Sequence, residues 1–158
     1  MESGDRSMKI RIRFIMLLTL VLAGCQNEEQ TIPEEAADLP YPPEYIQAPD
    51  DIVNMHGDIT NLERFYDFID HVEKGKNDKV RIVKYTTEGA PMIHDLEFDG
   101  TEIHSTYDST RDGFGSRSIE EANCKGITVV KTDSRTDYVL EECSNQKEWD
   151  KTILVIKE

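Results

Sequence analysis

Four side chains near the middle of the sequence have the types and spacing to bind a cation or to exchange protons. They flank Asp99-Gly100, a pair typical of the two-residue type I′ turn of a β-hairpin. Such a turn places Glu97 directly opposite Glu102, and a divalent cation between the two carboxylates would relieve their repulsion. It also places Asp95 opposite His104. Crowded carboxyl groups have raised pKa values, which suits acid–base catalysis. A solvated face is the simpler interpretation.

A second candidate follows this hairpin and imitates the first half of a calcium-binding loop. Oxygen-bearing side chains alternate in Asp108-x-Thr110-x-Asp112, and Gly113 permits a sharp turn. A complete loop of this kind needs a bidentate glutamate at its twelfth position, where this chain has Ile119. A turn-rich loop is therefore the favoured interpretation.

A third candidate is a run of basic residues in an otherwise acidic chain. Such a run suits lipid headgroups, an anionic wall polymer or the acidic patch of a partner protein. The alternative is that these residues balance the protein's own charge at a helix end and on an exposed strand face. The run consists of Lys74, Lys76, Lys79, Arg81 and Lys84.

The sequence contains none of the common short catalytic motifs. G-x-S-x-G, H-E-x-x-H, C-x-x-C and a glycine-rich phosphate loop are all missing from it. The sequence therefore favours a protein that is not an enzyme, and a small hydrolase built on the four hairpin residues is the least favoured alternative. No cofactor is expected apart from a divalent cation at those residues.

The elements that position these candidates begin with a helix, for which Asn61–Lys74 has the strongest signal. Thr60-x-x-Glu63 has the form of a capping box at its start, and Lys74-Gly75 is typical of a helix end. Apolar residues recur along one face at helical spacing, and they are Leu62, Phe65, Tyr66, Ile69 and Val72.

The rest of the chain has the alternation and turn signals of β-structure. One helix followed by hairpins predicts an α+β fold, in which an N-terminal amphipathic helix packs on a mostly antiparallel sheet of about six strands. The predicted strands are Val80–Tyr85, Met92–Phe98, Thr101–Tyr107, Ile127–Lys131, Asp137–Leu140 and Thr152–Ile156.

Two cysteines lie at equal distances from the predicted turn at Asp133-Ser134. A two-residue turn there places Cys124 and Cys143 opposite each other at the open end of the hairpin. In an exported chain such a pair predicts a disulfide bond. We interpret the pair as structural, because no other sequence feature indicates a reactive thiol.

The N-terminus has the organisation of a secretory signal. A basic segment precedes Phe14–Leu22, an apolar run that is too short to cross a membrane unaided. Leu22-Ala23-Gly24-Cys25 resembles the lipobox of bacterial lipoproteins, in which diacylglycerol is attached to the cysteine thiol and the chain is cut just before it. The resemblance implies that residues 1–24 are a signal peptide and that Cys25 is the lipidation site.

A stretch of unusual composition separates Cys25 from the remaining sequence. Residues 26–51 contain eight acidic residues, no basic ones and five of the six prolines. Like charges repel and prolines favour extended conformations, so we interpret residues 25–51 as a lipidated, solvated tether. Residues 52–158 are then expected to form a single domain.

The charge balance excludes one class of partner. The chain has 18 Lys and Arg against 32 Asp and Glu, a formal net charge of −14 over 158 residues. Nucleic-acid binding requires an excess of basic residues, so no nucleic-acid partner is expected. With 37% hydrophobic residues, the chain still has enough apolar surface for a core.

Four stretches from about residue 50 onward carry a resemblance to a known family, and they are Val53-Asn54-Met55-His56-Gly57, Asn61-Leu62-Glu63-Arg64-Phe65, Lys84-Tyr85-Thr86-Thr87-Glu88-Gly89 and Thr110-Arg111-Asp112. On these residues the chain resembles a family of small, uncharacterised lipoproteins of spore-forming Gram-positive bacteria, classified only as a domain of unknown function. The family has no known activity that could be assigned to residues of this chain.

Together these observations predict a lipoprotein anchored on the extracytoplasmic face of the cell membrane. The favoured function is binding of a protein, a peptide or a cell-wall component without catalysis. The alternative is a protein that binds or responds to a divalent metal. The lipid anchor is the expected membrane partner.

Replacement of the lipidated thiol tests the predicted location. We expect Cys25→Ala to release or mislocalise the protein, because the lipid that would hold it on the membrane cannot be attached without the thiol. Fractionation of cells followed by immunoblotting measures this. Cys143→Ala, which leaves the lipobox intact, is the control, and unchanged membrane association of Cys25→Ala would contradict the prediction.

Overall fold

Nine strands and one helix form the part of the chain that the computed structural model describes, residues 42–144 and 151–158. The predicted signal peptide (1–24), Cys25 and the tether up to residue 41 lie outside the described residues. In chain order the elements are β1 (Ile52–Met55), β2 (Asp58–Thr60), α1 (Leu62–Glu73), β3 (Asp78–Tyr85), β4 (Pro91–Phe98), β5 (Ile103–Asp108), β6 (Ile119–Cys124), β7 (Gly126–Lys131), β8 (Arg135–Glu141) and β9 (Thr152–Lys157).

Helix α1 is present where its periodicity predicts it, but the predicted capping box does not form. Asn61, the residue before the helix, has a φ of 56° and makes no side-chain cap. Its side-chain Nδ2 instead donates to the carbonyl oxygens of Pro49 (2.8 Å) and Asp51 (2.7 Å). The other end follows the prediction, since Gly75 adopts a φ of 64° and its N–H donates to the Val72 carbonyl (3.1 Å).

An ion-pair cluster attaches α1 to β3. Arg64 donates two hydrogen bonds to the carboxylate of Asp78 (2.7 and 3.0 Å), and Nδ1 of His71 lies 2.8 Å from the same group. Burial raises the pKa of Asp78, but the hydrogen bonds from Arg64 and His71 outweigh it and the net pKa is below its usual range. The cluster therefore stabilises the fold at neutral pH and loses this effect as the pH falls through the lowered pKa.

The strands form two sheets. A six-stranded sheet has the order β2-β1-β3-β4-β5-β6, and β7, β8 and β9 form a three-stranded antiparallel sheet. Neighbours in the larger sheet are antiparallel except β1 and β3, which run parallel with Ile52 opposite Ile82. The parallel pair exists because β2 and α1 carry the chain back to the start of β3.

The prediction of an α+β fold with one sheet of about six strands is wrong. Strands make up 49% of the described structure and the helix 11%, so the fold is mostly β with two sheets. Strands β1 and β2 were not predicted, because they have only four and three residues and join through His56-Gly57, both at positive φ. Strand β6 was not predicted either, because acidic residues interrupt its apolar alternation. Only Lys125 separates β6 from β7, and the chain leaves the larger sheet there.

The main core lies on one face of the six-stranded sheet, which we call the inner face. Its apolar residues, such as Ile82, Leu96 and Ile103, are at most 2% exposed. Helix α1 and the three-stranded sheet both contribute to this core. Phe65 of α1 meets Tyr138 of β8 edge to face, with ring centroids 4.8 Å apart. Helix α1 and the three-stranded sheet therefore both cover parts of the inner face.

The opposite, outer face contacts residues that the sequence assigned to the tether. Tyr45 packs against a small cluster of Val53, Val83 and Ile93, and its hydroxyl donates to Asp51 (2.6 Å). The described end of the predicted tether thus lies against the domain.

The predicted disulfide bond is present. Strands β7 and β8 pair in the predicted register, with Gly126 opposite Glu141, and Cys124 is bonded to Cys143 nineteen residues later. Cys124 is the last residue of β6 and is fully buried, whereas Cys143 follows β8. The bond therefore links the larger sheet to the chain that leaves the smaller one.

Loss of this bond should weaken the fold. We expect Cys143→Ser to lower the free energy of unfolding by about 3 kcal/mol, because the closed loop no longer restricts the unfolded chain. Urea denaturation followed by circular dichroism measures the change. Reduction of the wild-type protein should lower its midpoint similarly and leave the variant unaffected; an unchanged midpoint in the variant would contradict the expectation.

Candidate functional site

The hairpin that carries the first candidate residues turns one residue later than predicted. Its two central residues are Gly100, with a φ of 96°, and Thr101, because the Asp99 N–H donates to the Glu102 carbonyl (3.1 Å). A glycine at the first central position is typical of a type II′ turn rather than type I′. Glu97 consequently lies opposite His104, not opposite Glu102.

The same shift corrects the second predicted pair. Asp95 lies opposite Thr106 instead of His104. Its carboxylate accepts two hydrogen bonds from Arg81 on β3, at 2.7 and 2.8 Å, and these raise the pKa of Arg81. A basic side chain of the neighbouring strand therefore balances the charge of Asp95.

The two remaining hairpin residues also have protein partners. Lys125 forms an ion pair with Glu102. Nδ1 of His104 lies 3.0 Å from Oδ1 of Asn123, and its Nε2 lies 3.2 Å from Oδ2 of Asp99. These two hydrogen bonds raise the pKa of His104. Among residues 42–144 and 151–158, no three His, Cys, Asp or Glu side chains are grouped so that they could hold a metal ion.

The loop that imitates a calcium site uses its oxygens internally. Asp108 accepts hydrogen bonds from the N–H and the hydroxyl of Thr110 (2.8 and 2.5 Å) and from Arg111 (2.6 Å). Burial raises the pKa of Asp108, but these hydrogen bonds outweigh it and the net pKa is lowered. Asp112 accepts the N–H of Phe114 (2.9 Å). These contacts stabilise a turn-rich loop.

The structure does not bring the basic run together on one surface. Lys74 pairs with Asp70 (2.7 Å), and Lys76 lies 3.1 Å from His71 at the helix end. Because side chains alternate along β3, Lys79 and Arg81 lie on the outer face and Lys84 lies on the inner face. The five residues therefore belong to three different environments.

Lys84 lines a cavity that the sequence did not predict. A cavity of about 510 Å³ lies where β1 and β3 of the larger sheet approach β9 of the smaller one. Its floor is apolar, with Ile82, Ile153 and Leu154 each at most 6% exposed. We call this cavity the groove. Basic side chains at its rim are His56, Lys84, Arg135 and Lys157.

The charges at the groove are incompletely paired. Neither Lys84 nor Lys157 forms an ion pair with another described residue. Arg135 pairs with Asp137 at 3.0 Å, and Asp137 is the one carboxylate among the groove's described lining. In a chain with a net charge of −14, the groove thus concentrates positive charge.

Asp137 is also incompletely satisfied. Its side chain is 16% exposed and its Oδ2 accepts from Arg135, but its buried Oδ1 has no hydrogen-bond partner among the described residues. A buried oxygen without a donor lowers stability. Oδ1 of Asp137 is therefore a buried acceptor beside the groove that no described donor reaches.

A side chamber of about 40 Å³ adjoins the groove and shares Ile82, Lys84 and Ile153 with it. His94 lines this chamber, and its Nε2 lies 2.7 Å from the hydroxyl of Ser105. A serine–histidine pair resembles part of a nucleophilic site, but Ser105 is 2% exposed. Its hydroxyl is thus inaccessible to a substrate, and the pair serves the packing of the inner face.

The groove residues are distant in the sequence, which explains why most of them were not predicted. Lys84 was assigned to the basic run, while Arg135, Asp137 and Lys157 belonged to no motif. Strand pairing places Arg135 opposite Lys157, and the fold then brings both near Lys84. Charged residues at alternate positions of β8 were the available signal, and alternation alone does not distinguish a site from a solvated face.

The described residues thus form a mostly β domain of two sheets. Its candidate site is the groove, which strands of both sheets line and which has basic side chains at its rim. The chain belongs to the family described as Domain of unknown function (DUF4362), whose model matches residues 49–139, more than half of the sequence. No curated protein and no solved structure matches the chain. Within the described residues, α1 is too short and too polar to cross a membrane.

Asp137 provides a test of the groove geometry. We expect Asp137→Val to raise the free energy of unfolding by about 1 kcal/mol, because it removes a buried oxygen without a partner and introduces a residue favoured in strands. The ion pair that it removes involves an exposed Arg135 and contributes little. Urea denaturation measures the change.

Asp137→Asn is the matched control, since it retains a buried polar group at the same position and should leave the stability nearly unchanged. A clear loss of stability in Asp137→Val would show that Oδ1 has a donor in solution, and would contradict this description of the site.

Proposed function

We propose that this protein is a lipid-anchored binding protein of the extracytoplasmic face of the cell membrane, and that the groove holds its ligand. The groove carries the proposal. Its volume of about 510 Å³ lies within the usual range of ligand sites, and it combines an apolar floor with a few convergent polar groups. Lys84 and Lys157 at the rim form no ion pair with another described residue, so their charges are available to a ligand.

The anchor is proposed from the N-terminal sequence. Phe14–Leu22 and Leu22-Ala23-Gly24-Cys25 have the order and composition of a lipoprotein signal, and the acidic stretch after Cys25 suits a spacer. The bond between Cys124 and Cys143 supports an oxidising compartment, because such bonds persist mainly in exported proteins.

The arrangement of side chains favours binding over catalysis. The groove contains two lysines, an arginine, His56 and one carboxylate, but its described lining includes no serine or cysteine that a base could activate. Asp95 and Glu102 are paired with Arg81 and Lys125 on the outer face and line neither cavity.

Site-specific photocrosslinking on intact cells tests the proposal. A photoactivatable phenylalanine analogue at Tyr85 or Thr152 should capture a partner, because both positions line the groove and leave its lysines in place. The same analogue at Lys131, an exposed residue of β7 that does not line the groove, is the matched control. Immunoblotting and mass spectrometry identify the products.

We expect adducts from the two groove positions that are absent from the Lys131 control. They should disappear when Val155→Trp, a substitution on the groove wall, fills the space. Identical adducts at all three positions, or adducts unaffected by Val155→Trp, would overturn the assignment of the groove as the binding site.

A further inference from the structure

We infer that the groove takes a short, extended peptide bearing carboxylates, which pairs with the free edge of β9 and places its negative charges at the basic rim. This inference rests on the proposed function and names the ligand class of the same site. Two features carry it: the edge of β9 that no described strand occupies, and two lysines that form no ion pair with another described residue.

The first feature is the edge of β9. This strand pairs with β8 on one side, and no backbone hydrogen bond joins it to the six-stranded sheet among the described residues. Alternate residues of an edge strand direct their N–H and C=O groups away from the partner strand. Ile153–Val155 and Lys157 nevertheless line the groove, so within residues 42–144 and 151–158 this edge lies beside the groove rather than beside another strand.

An extended peptide supplies the groups that such an edge lacks. Its main chain presents N–H and C=O groups at the spacing of a strand, as in other cases of strand addition. Four residues of β9, Ile153–Ile156, span about 13 Å, so a peptide of about four residues matches the edge. An acidic sugar chain also carries carboxylates, but it lacks this repeating pattern of donors and acceptors.

The second feature is charge. Lys84 lies on the side of the larger sheet and Lys157 on that of the smaller sheet, and neither has an ion-pair partner among the described residues. Arg135 lies opposite Lys157 in the register of β8 and β9. A peptide between the sheets thus meets basic side chains on both walls, and carboxylates are the complementary groups.

Calorimetric titration of the purified full-length chain tests the ligand class with defined probes. Tetraglutamate should bind, tetraglutamine should bind at least about tenfold more weakly, and tetralysine should not bind. Lys84→Glu and Lys157→Glu should each weaken tetraglutamate binding by about tenfold. Lys131→Glu changes the net charge equally but lies outside the groove, and should leave the affinity nearly unchanged.

A second probe tests the pairing with β9. Tetraglutamate methylated on its backbone nitrogens keeps all its carboxylates but lacks the N–H donors, and we expect its affinity to fall by about tenfold or more. Equal affinity of the methylated and unmethylated peptides would overturn the strand pairing. Equal effects of Lys84→Glu and Lys131→Glu would overturn the role of the rim.

Tetragalacturonate separates this inference from the proposed function. If it binds with the same dependence on Lys84 and tetraglutamate does not, the peptide class is wrong while the groove remains a binding site. If the photocrosslinking captures a partner at the groove and none of the peptides binds, the ligand class is likewise overturned. Failure of the crosslinking at the groove instead counts against the proposed function itself.

Discussion

The structure depends on how one face of a six-stranded sheet is covered. Six strands about 4.8 Å apart span about 24 Å, whereas a 12-residue helix is about 18 Å long and about 10 Å wide. Helix α1 therefore covers less than half of the inner face, and the three-stranded sheet must cover more of it. Helix α1 and the three-stranded sheet contact each other through Phe65 and Tyr138. The disulfide bond from Cys124 to Cys143 links the chain that leaves the three-stranded sheet to β6, the edge strand of the six-stranded sheet.

The groove follows from the composition of the inner face along its strands. On β3 the inward residues change from Val80 and Ile82 to Lys84, and on β4 they change from Phe98 and Leu96 to His94. The apolar end is sealed by α1, because burial of apolar surface favours close contact. At the polar end close packing would bury charges at high cost, so β9 approaches without sealing the space. The same alternation that builds the core thus leaves an open site at the other end of the face.

Local features of the sequence predicted local features of the structure, and features that depend on long-range pairing were missed. The amphipathic pattern predicted α1, and the turn at Asp133-Ser134 predicted both the register of β7 and β8 and the disulfide bond. A turn displaced by one residue at Gly100 was enough to move every partner across the β4–β5 hairpin by two positions. The groove combines residues of β1, β3, β8 and β9, and no local pattern states that β9 lies beside β3. The groove could therefore not be predicted without knowing how the strands are arranged.

The net negative charge of the chain affects where an anionic ligand can bind. A net charge of −14 repels an anionic ligand from most of the surface, and on the outer face Arg81 is already paired with Asp95. Lys84 and Lys157 form no ion pair with another described residue, so they attract such a ligand to the groove. Specificity is a difference of affinities, and repulsion elsewhere increases that difference as effectively as attraction at the site. Excess negative charge is thus compatible with the anionic ligand that we propose, because repulsion elsewhere favours binding at the groove, where the edge of β9 lies near Lys84 and Lys157.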